Sequence, residues 1–167
     1  MANNRFIVLY GLPGAGKTSL CNAVAEKHGY FYADIGTDPQ FGQGTPMWQI
    51  AFDQYKRCRP NINLITEGVL STRDRRARLA SKIWKKSREL GKGYRLYEPV
   101  LFWVKEPLEV LNSRRPSRSV EAYRELEENF EIGSDLFQHF IIDSVKEPAL
   151  RDLDARVTFI MDKVLNP

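Results

Sequence analysis

Apolar positions along the chain fall into short continuous runs that alternate with longer stretches where they recur every three or four residues. The run Phe6-Ile7-Val8-Leu9-Tyr10 predicts a first strand over residues 5–10, covered on both sides. Leu20, Ala23 and Val24 then predict a helix over residues 17–28, with Gly29 as its C-cap. Residues 30–33 read as a second strand that ends at Asp34. Thr45 and Pro46 form a helix start, because the hydroxyl caps and proline is tolerated in the first turn; Trp48, Ala51, Tyr55 and Cys58 follow at helical spacing. A third strand over residues 62–66 ends at Glu67. Ser71 and Asp74 resemble a capping box that opens a helix with Leu79, Ile83 and Leu90 facing inward. Residues 100–105 make a fourth buried strand, and Pro107 opens a short helix that leads to Arg114, Arg115 and Arg118. Tyr123, Leu126 and Phe130 form another helical stripe ended by Gly133, and residues 140–143 read as the last strand. In residues 150–164 a β-branched run invites a strand, yet Leu150, Leu153, Val157, Ile160 and Val164 keep helical spacing and predict a C-terminal helix.

Strands alternating with helices imply an α/β fold, a parallel sheet with helices on both faces. No linker, repeat or charge block divides the 167 residues, so 1–167 is expected to be one domain. At 43% hydrophobic and 28% charged residues an ordered globular domain is expected, and 11 Gly and 9 Pro without any period exclude a collagen-like or low-complexity architecture. No apolar stretch approaches the roughly 20 residues that span a bilayer. The apolar run at the N-terminus is too short for a signal sequence and leads into a glycine loop, so a cytosolic protein is expected, with no membrane partner. Cys21 and Cys58 have neither disulfide-framework nor zinc-ligand spacing.

The chain carries a net charge of +4, unevenly distributed. Residues 71–95 hold ten basic side chains against Asp74 and Glu89, leaving the remainder with fifteen basic and nineteen acidic residues. That local positive field points to a polyanionic partner, or else to a solvated helix face.

Gly11-Leu12-Pro13-Gly14-Ala15-Gly16-Lys17-Thr18 fits the phosphate-loop pattern G-x-x-x-x-G-K-[ST] and lies between a predicted strand and a predicted helix. Glycines let the backbone curl until successive N–H groups converge on phosphate oxygens, and the helix N-terminus adds positive potential. Gly11, Pro13, Gly14, Ala15, Gly16, Lys17, Thr18 and Ser19 are therefore the expected nucleotide contacts. Lys17 would bridge the β- and γ-phosphates, and the Thr18 hydroxyl would serve Mg²⁺.

The guanine-recognition string Asn-Lys-x-Asp and the Asp-x-x-Gly switch of regulatory GTPases do not occur. Residues 63–67 are only a weak form of the apolar strand ending in Asp or Asp-Glu that motor ATPases use. A small phosphotransferase remains. Asp34 and Asp38 are the candidates for the base that serves an acceptor hydroxyl, with a strand-end cap and a turn former as their structural alternatives. Glu67 would face the loop if its strand lies beside the first, and would hold a Mg²⁺-bound water or orient a cation. Arg114, Arg115 and Arg118, around Pro116, suit a lid over about residues 112–120 that closes on the transferring phosphoryl group. A helix end kept soluble by arginine is the alternative.

The segments GLPGAGKTSL, ITEGVLSTRDRR and LNSRRPSRSV together resemble the small P-loop kinases of the polynucleotide kinase and nucleoside monophosphate kinase type. Glu67 followed by Asp74-Arg75-Arg76 is similar to the second motif of polynucleotide kinases. Asn112-Ser113-Arg114-Arg115 with Val120 is similar to their lid, except that Leu111 replaces its first arginine, a loss that Arg114 or Arg118 would have to cover. The segment 139–144 and the helix after it look like the end of guanylate-kinase-like enzymes, which implies that Asp143, Ser144 and Lys146 border the adenine of ATP. The resemblance implies a three-layer P-loop NTPase fold, with a five-stranded parallel sheet of order 2-3-1-4-5 and a small helical lid.

Two acceptors fit this reading. One is a hydroxyl on a nucleic acid, a polynucleotide 5′-hydroxyl or a hydroxymethylated base in DNA, engaged by Arg73, Arg75 and Arg76, with Trp48, Tyr55 and Trp84 as stacking surfaces or else as core residues at helical spacing. The other is a nucleoside monophosphate or small metabolite in a pocket shaped by residues 42–46. A regulatory ATPase without a phosphoryl acceptor is a third reading. Oligomeric state is not legible.

Overall fold

The structure, a computed structural model, describes residues 4–33, 49–50, 53, 63–89, 97–134 and 136–166. Asp34, Asp38, the residues 42–46, Trp48, Tyr55 and Cys58 lie outside the described residues. Five strands, β1 (Asn4–Tyr10), β2 (Phe31–Ala33), β3 (Leu64–Gly68), β4 (Tyr97–Lys105) and β5 (Gln138–Asp143), form one sheet. Its order is β2-β3-β1-β4-β5 and every pairing is parallel, as the family resemblance implied. The described helices are α1 (Lys17–His28), α2 (Arg73–Glu89), α3 (Leu108–Arg114), α4 (Val120–Glu128) and α5 (Leu153–Leu165), with a 3-10 turn at Pro148–Arg151. No described helix is long and apolar enough to cross a membrane.

β1 is continuously apolar because it is the central strand, and Phe6 to Tyr10 are all fully buried. Strand alternation sorts its neighbours onto two faces. Leu9 pairs with Glu67 and Phe102, and Phe102 meets Phe159 of α5 edge-on, so this parity faces α1 and α5. Tyr10 has the opposite parity and lies under Arg76 of α2. The chain enters the sheet at its centre, builds β2 and β3 on one side, then crosses to β4 and β5. That reversal opens a crevice at the carboxyl end of β1. Pro99 is accommodated in β4 because the ladder to β5 begins one residue later, at Val100.

Several local expectations change. Thr72, not Ser71, caps α2, its hydroxyl accepting from Arg75 N–H at 3.2 Å. α4 ends at Asn129 rather than at Gly133. Leu126 and Leu153 are exposed, whereas Arg76 and Arg156 occupy buried helical positions, because each guanidinium finds backbone carbonyls inside the fold.

The face below α2 holds a half-buried polar cluster. Tyr10 Oη accepts from Gly133 N–H at 3.2 Å and lies 2.6 Å from His139 Nε2, to which it donates when that nitrogen is unprotonated. Burial, reinforced by Arg76 and Arg73, pulls His139 down to about 4. Between that value and about 6.5 the unfolded chain binds a proton that the fold refuses, so stability is full above pH 6.5 and falls as pH drops toward 4. Melting temperatures followed from pH 7 to pH 4 are expected to drop more steeply for the native chain than for His139→Gln. Parallel curves would count against this cluster.

Candidate active site

The loop from Gly11 to Gly16 connects β1 to α1 and depends on glycine at its ends. A Cβ on Gly11, at φ +153°, would lie 2.5 Å from Val104 O, so the loop can pass β4 only without a side chain there. Gly16, the N-cap of α1, is left-handed at φ 83°. Lys17 is 6% exposed and donates to Gly11 O at 3.0 Å and Leu12 O at 2.9 Å, which leaves one of its three N–H donors for a ligand. Burial lowers its pKa to about 8, against the opposing pull of Glu67 and with Arg115 adding to the fall.

Because β3 lies beside β1, Glu67 pairs with Leu9 and its side chain falls on the α1 face. Thr18 Oγ1 donates to Glu67 Oε1, and so does Tyr32 Oη, at 2.7 Å. The two residues expected to serve the metal thus meet. Tyr32, which the sequence reading did not single out, orients the carboxylate. A hydroxyl and a carboxylate are hard oxygen donors suited to Mg²⁺, which keeps much of its shell as water and phosphate rather than an all-protein cage. Among the described residues there is no group of three or more His, Cys, Asp or Glu side chains placed to hold a metal.

Arg114 and Arg115 reach the loop from the end of α3. Arg114 donates to Gly14 O at 2.8 Å, and a Cβ on Gly14 would lie 3.7 Å from Arg115 Cγ. Arg118 instead lines a groove of about 350 Å³ on α4 with Ala122, Glu125, Leu126 and Asn129. Asn112 Nδ2 donates to Arg118 O and ties the turn between α3 and α4. Beneath Arg114 lies Glu106, 3% exposed, which also accepts from Arg156 and from Ser144 Oγ at 2.9 Å. Neither Glu106 nor Arg156 stood out in the sequence; the only signal was an arginine on the inward stripe of an amphipathic helix.

Asp143 and Ser144 stand at the end of β5 with their side chains already engaged. Asp143 Oδ1 accepts from Val145 and Lys146 N–H at 3.0 and 3.1 Å, and Ser144 is fully buried against Glu106. Arg75 is exposed. Arg73 is exposed too, but its Nε donates to Ile132 O at 2.9 Å. Arg76 leaves the set of solvent-facing cations: it is 1% exposed and donates to the carbonyls of Leu70, Glu131 and Gly133. Its guanidinium lies 4.1 Å from the centre of the Tyr10 ring.

Comparison with solved structures decides the architecture. A fungal RNA kinase superposes with a TM-score of 0.67 at 12% identity, covering 98% of this chain and 86% of that one. A gluconokinase from Sinorhizobium meliloti 1021 gives 0.55 at 17%, covering 99% and 98%. A deoxyadenosine kinase from M. mycoides, solved with bound dATP, gives 0.52 at 16%, covering 96% and 99%. The fold is that of the P-loop kinases. No family model matches the sequence, and no curated protein matches it. The similarity is therefore one of architecture, in a chain whose glycine loop lies at the carboxyl end of its central strand.

Proposed function

We propose that this chain is an ATP-dependent kinase of the polynucleotide kinase type, a single domain over residues 1–167. It passes the γ-phosphoryl group to a hydroxyl of a nucleic acid, a polynucleotide 5′-hydroxyl or a hydroxymethylated base in DNA. The observation that carries the transferase reading is the meeting of Lys17, Thr18, Glu67, Arg114 and Arg115 around one glycine loop at a helix N-terminus. ATP is the donor substrate, held by the loop from Gly11 through Ser19, with Lys17 on the β- and γ-phosphates. The turn of residues 143–146 borders its adenine, a turn that Asp143 holds by accepting from Val145 and Lys146 N–H and that Ser144 ties to Lys105 and Glu106.

Thr18 and Glu67 would hold Mg²⁺, which neutralises phosphate charge when bound. The acceptor oxygen bonds to the γ-phosphorus as the bond to the β–γ bridging oxygen breaks; the acceptor proton passes to Asp34 or Asp38, and ADP leaves. Arg114, Arg115 and Arg118 belong to a lid over residues 112–120 that compensates the charge on the transferring group. The reading implies a cytosolic protein, where ATP and Mg²⁺ are at hand.

The polymer acceptor is favoured by α2, whose exposed face carries Arg75, Arg78, Lys82, Lys85 and Arg88 beside Trp84, which is 41% exposed. A small nucleotide or metabolite acceptor is the second reading, favoured by the neutralisation of part of this face: Asp74 pairs with Arg78 at 2.8 Å and Glu89 with Lys86 at 2.6 Å. Labelled ATP is to be incubated with 5′-hydroxyl oligonucleotides, hydroxymethylated DNA, mononucleotides and water. Label is expected on an oligonucleotide, and four phosphate contacts on a single strand would weaken binding roughly 50-fold between about 50 and 200 mM salt. Faster labelling of a mononucleotide, with no salt effect on any oligonucleotide, would favour the small acceptor. Label found only as free phosphate would favour an ATPase.

A further inference from the structure

We propose that Glu106 is a positioning residue for phosphate binding, a buried carboxylate that acts on the glycine loop through two arginines. The proposal rests on the phosphate-binding reading of that loop. Glu106 follows the last residue of β4, and its side chain is 1% exposed. Its Oε1 accepts from Arg156 and, at 3.4 Å, from Arg114; its Oε2 accepts from Ser144 Oγ at 2.9 Å.

Each guanidinium has a second engagement on the loop. Arg114 NH1 donates to Gly14 O at 2.8 Å and Arg156 NH1 to Ala15 O at 3.2 Å. In a planar trans peptide the N–H points opposite to the C=O. Holding the Ala15 carbonyl toward Arg156 therefore turns the Gly16 N–H to the other side, toward the mouth of α1. The Gly14 carbonyl, held by Arg114, fixes the preceding peptide plane in the same way. A Cβ on Gly16 would meet Arg156 NH1 at 3.4 Å and Arg114 NH1 at 3.7 Å, so both tethers lie directly against the loop.

The arrangement explains a charge that the hydrophobic core would otherwise exclude. A buried carboxylate is tolerated when paired and fully hydrogen-bonded, and here both oxygens and both cations have partners. The same carboxylate joins three separate parts of the chain, the end of α3, the C-terminal helix and the β5 turn, to two adjacent loop carbonyls.

The test uses the full chain and three proteins: native, Glu106→Gln, and the double variant Glu106→Gln with Arg156→Met. MgATP affinity by calorimetry, KM and kcat for ATP, and melting temperature are read for each. Glu106→Gln is expected to raise the MgATP Kd and KM about tenfold, to lower kcat less, and to lower the melting temperature because Arg156 stays buried without its anion. The double variant removes that orphaned cation but leaves the carbonyls of Leu150 and Ala15 without their donor, so its melting temperature recovers in part while its Kd stays raised. Recovery of both together would mean that the network serves the fold alone and would overturn the proposal. If the double variant does not fold, unchanged affinity in Glu106→Gln, measured where it is folded, overturns it equally. A native chain that binds no MgATP would sink the functional reading instead, which keeps the two failures apart.

Discussion

Lys17→Ala should lower phosphoryl transfer at least about 10³-fold while leaving the melting temperature unchanged or slightly raised. The side chain is buried at 6% exposure, and among the described residues its ammonium is held by two carbonyls of its own loop and the field of Glu67 and Cys21. Removing it takes a desolvated charge out of the fold, which is why activity and stability should separate. Burial has already lowered its pKa to about 8, so nucleotide affinity of the native chain should decline above that pH as the ammonium loses its proton. Lys17→Arg stays charged and should not show that decline, whatever its absolute activity. Calorimetry of MgATP binding from pH 7 to pH 9.5, beside transfer assays on both variants, reads both expectations. Transfer by Lys17→Ala at more than a tenth of the native rate would rule the glycine loop out as the reacting site.

Arg76→Ala should be the most destabilising change in α2, costing on the order of 3 kcal/mol, whereas Arg75→Ala one residue away should change stability by less than about 0.5 kcal/mol. The contrast follows from burial. Arg76 supplies donors to three carbonyls, two of them from residues that follow α4, and its planar cation covers the Tyr10 ring. Truncation leaves the buried Leu70 carbonyl unpaired, removes the donor from two half-buried carbonyls and opens a void against Tyr10. Arg75 is exposed, so its loss should appear in oligonucleotide binding and its salt slope rather than in the fold. Urea melts of the two variants decide this; equal stabilities would show that the Arg76 contacts contribute nothing net. Arg76→Lys should recover only part of the loss, because one ammonium cannot reproduce a planar fork over an aromatic ring.

What could be read from the chain depended on how local each feature is. β1, the glycine loop and α1 are contiguous, so strand pattern, turn glycines and helix pattern reinforce one another within 25 residues, positions 4–28. Glu67 was legible only conditionally, since its carboxylate reaches Thr18 because β3 pairs with β1 rather than with another strand. Arg76 was misread for a physical reason. A run of cations on a helix looks uniform in sequence, and which member turns inward depends on carbonyls more than 50 positions away, as the contact with Glu131 O shows.

The sequence alone determined the layered α/β architecture and a glycine loop between the first strand and the first helix, because both arise from hydrophobic period and from backbone freedom at glycine, which are properties of neighbouring residues. Tertiary structure alone decided the assignment of the charges. Tyr32 joins Thr18 at Glu67, Arg114 and Arg115 reach the loop, and Arg76, Glu106 and Arg156 are drawn into the interior. The reason is electrostatic: a charged side chain has no preferred environment until the fold supplies or withholds its partner, and burial without one is too costly to persist.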